Sequence, residues 1–254
     1  MTRHFRDTNT PHPARRRDLL KLMGATAIWI GAGHVNQPAK GEPAAPPKRT
    51  SINATPACIV RPEQTEGPYF IDEKLRRADI RSDPSDGAIK DGARLDLSLH
   101  VSRIDGRACA PLAGAIVDIW QCDARGVYSG FEDMNGLFDT RGQQFLRGFQ
   151  VTDDRGIVRF VTIYPGWYPS RTVHVHFKIR TGNKPAFEYT SQLYFDDALT
   201  DRVFARAPYA GRPQREVRNE QDWIYQEGGK DLMLPVTERA RGYAGMFDIG
   251  LRMS

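Results

Sequence analysis

His174 and His176 stand two apart in the alternating run TVHVHFKIR, and Tyr168 lies six positions before the first of them, just after a Pro-Gly turn. In a strand, side chains two apart share a face, about 7 Å from each other. His174, His176, Lys178 and Arg180 therefore take one face, and Val173, Val175, Phe177 and Ile179 the other. That spacing lets both imidazoles turn onto one metal ion. It also fits the wet face of an edge strand. His4, His12 and His34 fall in the N-terminal stretch, which leaves His100 as the only other histidine. A site of three or more histidines is therefore hard to assemble.

Tyrosines widen the donor set. Tyr168 sits on the loop that enters the histidine strand, and Tyr128 lies in the Gly-flanked segment DARGVYSG. A phenol titrates near 10 when free and must lose its proton to bind a metal. A trivalent cation removes it by the charge effect that acidifies metal-bound water. Phenolate oxygen suits ferric iron better than zinc.

Strands must hold these groups in place. In RLDLSLHVSRI, Leu95, Leu97, Leu99 and Val101 share one face, with Asp96, Ser98, His100 and Ser102 on the other. AIVDIW alternates likewise. FQVTDDRGIVRFVTI reads as a hairpin around Asp153–Gly156. HVHFKI, YTSQLYF, DLMLPV and AGMFDIGLRM are further strand candidates, and one short helix fits Asp197–Arg206. Many short strands with Gly, Pro, Asp and Asn between them imply an all-β, antiparallel β-sandwich. One domain is expected over residues 57–254.

The chain has 254 residues and a net charge of +5. Residues 1–34 hold six basic and two acidic side chains, so the remaining 220 carry only +1. A near-neutral body offers no footprint for nucleic acid. The basic start has its own reading. RRRDLLKLMGATAIWIGAGH is a charged region followed by an apolar run too short for a membrane span of about 20 residues, as in a signal peptide. Arg16-Arg17-Asp18-Leu19-Leu20-Lys21 resembles the twin-arginine export signal, whose machinery carries folded, often cofactor-loaded proteins. Export to the periplasm or beyond follows, with no span left in the mature form. Residues 35–56, rich in Pro and Ala, read as a linker. Of Cys58, Cys109 and Cys122, two can pair in an oxidising compartment; the sequence does not choose which.

The motifs together are similar to those of the intradiol ring-cleavage dioxygenases, the catechol and protocatechuate dioxygenase family. GWYPSRTVHVHFKI resembles the signature P-G-x-Y followed by R-P-x-H-I-H. DIWQCDARGVYSG resembles W-x-x-[DN]-x-x-G-x-Y, PEQTEGPYF the Q-T-x-G-P-Y entry, and FLRGFQVTDDRGIVRFVTIYPGWY and SQLYF two further segments. The likeness spans about residues 58–197. It implies a non-haem Fe(3+) held by Tyr128, Tyr168, His174 and His176, with Arg171 as the cation near substrate and Gln192 facing the same pocket. It implies cleavage of a catechol-type diol by O2 to a cis,cis-muconate-type diacid, with Tyr168 leaving the metal to take up a substrate proton. A homodimer is a further expectation. Thr172 replaces the usual Pro and Val175 the commoner Ile, so the particular diol does not transfer.

Two rival readings stand beside this one. A zinc hydrolase would add Asp118 or Asp123 to the two histidines, although no H-E-x-x-H helix is present. An exported binding module would use Trp120, Trp167 and Trp223 as an aromatic platform.

Overall fold

The structure, a computed structural model, describes residues 59–106, 108–133, 136, 138–182 and 186–253. The expected signal and linker lie outside the described residues. Among the described residues, nine strands form two sheets. The first is built on the long β1 (Arg94–Asp105). β2 (Ala108–Pro111) and β5 (Ile157–Ile163) pair antiparallel with the two ends of one edge of β1. β9 (Gly242–Arg252) pairs with its other edge, and β8 (Val236–Arg239) pairs with β9. The second sheet runs β4 (Arg147–Val151), β3 (Ile116–Trp120), β6 (His174–Arg180), β7 (Glu188–Tyr194), antiparallel throughout. Among the described residues, α1 (Asp197–Phe204) and the four-residue α2 (Trp223–Gln226) are the α-helices.

The apolar faces meet between the sheets. Leu95, Leu97, Leu99 and Val101 of β1 and Phe247, Ile249 and Leu251 of β9 share one buried cluster with Val117 and Ile119 of β3 and Val175, Phe177 and Ile179 of β6. Alternation placed each of these on a core face, because period-2 hydrophobicity is what a half-buried strand requires. Burying such a side chain is worth about 1.5–3 kcal/mol.

Three expectations change. β1 and β9 run parallel, so the first sheet is mixed and not wholly antiparallel. The turn at Asp153–Gly156 forms: Gly156 N–H donates to the Asp153 carbonyl at 2.8 Å, and Asp153 Oδ1 accepts from the Ile157 amide at 2.8 Å. The strands beside it then part, β4 into the second sheet and β5 into the first. Turn chemistry reverses a chain without choosing the partner of either strand. In DLMLPV, Asp231 and Leu232 end a 3-10 turn at Gly229–Leu232, Met233 forms an isolated bridge with Tyr194, and strand begins only at Val236. The polar face of β1 is wet only at its start, since His100 and Ser102 are both buried and His100 Nδ1 lies 3.0 Å from Asp248 Oδ1 on the parallel neighbour.

Cys109 is disulfide-bonded and Cys122 is a free, buried thiol; Cys58 lies outside the described residues.

Candidate metal centre

β6 is an interior strand, flanked by β3 and β7. Its polar face is covered, and His174 and His176 are 2% and 1% exposed. The wet-edge reading of this strand fails for that reason. Register sets Trp120 of β3 on one side of His176 and Gln192 of β7 on the other. The Trp120 ring stacks on the His176 ring at 4.9 Å and 6°. The backbone at Gly67 crosses above the imidazole: an added Cβ would lie 3.3 Å from His176 Cε1, and Gly67 has φ +71. Both facts call for glycine.

The loop after β3 presents Tyr128. The Asp123 carboxylate shapes it by accepting the Arg125 and Val127 amides at 2.9 and 3.0 Å. The loop between β5 and β6 presents Tyr168. These loops touch backbone to backbone at two glycines. A Cβ on Gly126 would come within 2.0 Å of the Trp167 carbonyl, and one on Gly166 within 2.4 Å of the Asp123 carbonyl. The two phenols are thereby fixed relative to each other, with ring centroids 5.5 Å apart at 79°.

The donor atoms converge. Tyr128 Oη is 3.4 Å from His174 Nε2, and His174 Nε2 is 3.0 Å from His176 Nε2. The Tyr168 ring meets the His174 ring edge-on at 5.6 Å. His174 Nδ1 lies 2.7 Å from the Thr172 carbonyl. As the neutral ring it donates there, which leaves a bare lone pair on Nε2.

Burial sets the charges. It pushes the Tyr128 phenol well above its usual value and Tyr168 up to about 12, the latter partly offset by the Arg171 cation. It drives both imidazoles well below 6.5, and the charge of Arg171 adds to the effect. Without a cation the site therefore holds two protonated phenols and two neutral imidazoles.

These residues fit a shared ion. Histidine nitrogens bind metals at about 2.0–2.1 Å, and two such bonds at right angles set the nitrogens about 3 Å apart, the spacing seen here. His176 Nδ1 is buried without a partner among the described residues; His176 Nε2 faces the other donors.

Arg171 is buried, not on the surface. Its Nε donates to Asp222 Oδ2 at 2.8 Å and its Nη2 to Gln192 Oε1 at 2.6 Å, while Nη1 points to Tyr168 Oη at 3.4 Å. Gln192 Nε2 donates to the Thr65 carbonyl at 3.1 Å. All six sequence-derived residues, Tyr128, Tyr168, Arg171, His174, His176 and Gln192, thus meet in one place.

Two neighbours were not foreseen. Tyr69 stacks on Tyr128 at 4.2 Å and 13°. Asp222 is fully buried against Arg171. An Asp preceding Trp-Ile-Tyr-Gln does signal a helix cap, but nothing along the chain ties it to Arg171, 51 positions earlier.

The rival sites do not assemble. Asp118 pairs with Arg180 at 2.8 Å, and Asp123 holds its loop and Lys90. Among the described residues no group of three His, Cys, Asp or Glu side chains is placed to hold a metal. Trp120 and Trp167 are buried, the second beneath Arg212, and only Trp223 is exposed. They form no platform.

A family model described as "Dioxygenase" matches residues 65–216. Chlorocatechol 1,2-dioxygenase of Pseudomonas putida is 34% identical over 104 residues, 34% of this chain and 36% of that protein. The protocatechuate 3,4-dioxygenase beta chain of Burkholderia cepacia is 29% identical over 182 residues, covering 67% of this chain and 71% of its own. An intradiol ring-cleavage dioxygenase from Tetranychus urticae superposes with a TM-score of 0.65 at 33% identity, over 77% of this chain and 95% of that one. The chain belongs to the intradiol ring-cleavage dioxygenase family.

Proposed function

We propose that this protein uses a ferric ion, held by Tyr128, Tyr168, His174 and His176, to cleave a catechol-type diol with O2 between its two hydroxyl-bearing carbons, giving a cis,cis-muconate-type diacid. The observation that carries this reading is the approach of Tyr128 Oη and both histidine Nε2 atoms to within 3.0–3.4 Å of their neighbours inside a buried shell. When bound, ferric iron supplies a Lewis-acid and one-electron centre that acidifies phenols and withdraws charge from the diol oxygens.

The chain's own residues divide the remaining work. Tyr128 is sealed beneath Tyr69 and has no route to solvent, so it stays in place. Tyr168 is only partly buried and faces the Arg171 cation. It is the phenol suited to take the proton of a diol hydroxyl. Arg171 stabilises negative charge as it develops on the substrate oxygens, a preorganised electrostatic role. Gln192 fixes one side of that guanidinium. The Thr172 carbonyl holds the His174 tautomer, a common device for metal-binding histidines. Trp120 and Tyr69 keep water from the donors.

The relatives are named for chlorocatechol and protocatechuate, so substituted and acidic diols join catechol, hydroxyquinol and larger lignin-like diols as candidate substrates. The Arg16-Arg17 motif supports twin-arginine export to the periplasm or beyond. Metal analysis with a visible spectrum tests the centre. One iron per chain and a red-brown colour from phenolate-to-iron charge transfer are expected; a colourless protein carrying zinc refutes it. Oxygen uptake over a panel of diols, with the diacid identified, tests the reaction.

A further inference from the structure

Asp222 lies six positions beyond the stretch matched by the family model, yet its carboxylate is at the centre of the site's support. It is fully buried. Oδ2 accepts from Arg171 Nε and from the Thr172 amide, both at 2.8 Å. Oδ1 accepts from the Ile224 and Tyr225 amides at 2.8 and 3.2 Å, capping α2. All four partners are donors. Only an ionised carboxylate offers enough acceptor sites for them. An asparagine would turn its NH2 against two N–H groups.

Thr172 is coupled to the same segment. It stands where the family signature has proline, which carries no amide proton. Here the amide is present and is given to Asp222. The Thr172 hydroxyl lies 2.7 Å from Asn219 Oδ1, and Asn219 in turn donates to the Phe195 carbonyl at 2.8 Å. The Thr172 carbonyl holds His174 Nδ1. Residues 219–225 therefore grip both the substrate-facing cation and the entry to the histidine strand.

We propose that Asp222 is a positioning residue for the reaction: it locks the Arg171 guanidinium in plane, so that its remaining edge faces Tyr168 and the substrate position. A planar guanidinium held at Nε by Asp222 and at Nη2 by Gln192 cannot rotate about its stem. Its Nη1 is left directed at Tyr168 Oη. Asp222 also balances the positive charge of Arg171, so the cation directs a donor without adding net charge to the buried site. In this chain the Thr172 amide completes the lock, in place of the rigidity a proline would give.

This inference rests on the proposed ring cleavage, and its test is arranged to separate the two. Asp222→Asn removes the matched acceptors. Asp222→Ser keeps an oxygen for the α2 amides but is too short to reach Arg171, and it serves if the first variant does not fold. Crystal structures of the full-length, iron-loaded variants should show Arg171 turned away from Gln192 and Tyr168. Iron content and the visible absorption band should stay as in the unaltered protein, while kcat falls about 10- to 100-fold, the range for outer partners of a metal site. In an Arg171→Ala background the same change should cost nothing further, because two residues that act as one do not multiply their effects. Arg171 unmoved in the variant structures overturns the proposal, as does a double variant whose losses multiply. If the unaltered protein cleaves no diol, the proposed function fails, and the position of Arg171 in the variant structures still decides whether Asp222 places it.

Discussion

The buried imidazoles make the metal-free protein sensitive to acid, and by a calculable amount. Burial, assisted by Arg171, keeps His174 and His176 neutral far below 6.5 in the folded state. In the unfolded chain both titrate near 6.5. Below that pH the unfolded state binds more protons than the folded one, so stability falls as pH falls. It is fully present above 6.5 and declines until the folded rings themselves protonate. Each histidine costs RT ln(1 + 10^(6.5 − pH)). Between pH 7.5 and 5.5 the pair together removes on the order of 3 kcal/mol at most. With an m value of about 2–3 kcal/mol/M, that moves the urea midpoint by roughly 1 M.

The assay is urea unfolding of the metal-free protein at pH 7.5 and 5.5, beside the same measurement on a His174→Gln, His176→Gln double variant. Groups common to both proteins cancel in the difference. The expected result is a pH-dependent loss larger in the unaltered protein than in the variant, by up to about 3 kcal/mol. Equal losses would mean that the rings protonate freely in the folded state, and the account of the site as a neutral, desolvated donor set would be wrong.

Tyr128→Phe should abolish both the red-brown colour and ring cleavage, because a fully buried ligand has no substitute; a coloured, active variant would remove Tyr128 from the donor set. Arg171→Ala should keep its iron and lose most of the rate, and iron loss instead would assign Arg171 a purely structural part. Gly67→Ala should lower stability by about 1–2 kcal/mol from its positive φ alone, read from urea midpoints, and should also perturb the absorption band because the new Cβ presses on His176; an unchanged midpoint refutes the backbone strain, and an unchanged band the close approach.

Much of the site was legible in the chain because strand alternation is a local rule. His174 and His176 fall on one face of β6, and Val175, Phe177 and Ile179 on the other, whatever surrounds them. Tyr128 and Tyr168 were legible through motif likeness, which stands in for the tertiary contacts that unite them. What local rules miss is pairing at a distance. The parallel union of β1 with β9 joins residues about 150 apart, and no turn or period announces it. The parting of β4 from β5 is of the same kind: the turn is written in Asp153–Gly156, the sheet assignment in the rest of the core. Asp222 was missed for the reason that makes it interesting. Its helix-cap role is local and visible, and its hold on Arg171 depends on the fold.

Charge arithmetic joins these parts. Arg171 and Asp222 sum to zero, and the imidazoles are neutral. A trivalent ion with two phenolates leaves +1 in a buried site. A divalent ion leaves zero and has less charge with which to deprotonate two phenols that burial holds in the acid form. On the proposed function, a diol that gave up both protons would take a trivalent site to −1; one proton taken up by Tyr168, with the other released to solvent, would return it to zero. In a medium where an uncompensated buried charge costs several kcal/mol, a phenol able to take up that proton would ease binding of the dianion. Tyr168, partly exposed and next to Arg171, is placed to accept the proton, while Tyr128, sealed beneath Tyr69, is not. The unequal burial of the two tyrosines thus supports the roles proposed for them, and the Asp222 carboxylate would keep the charge of Arg171 from upsetting the balance.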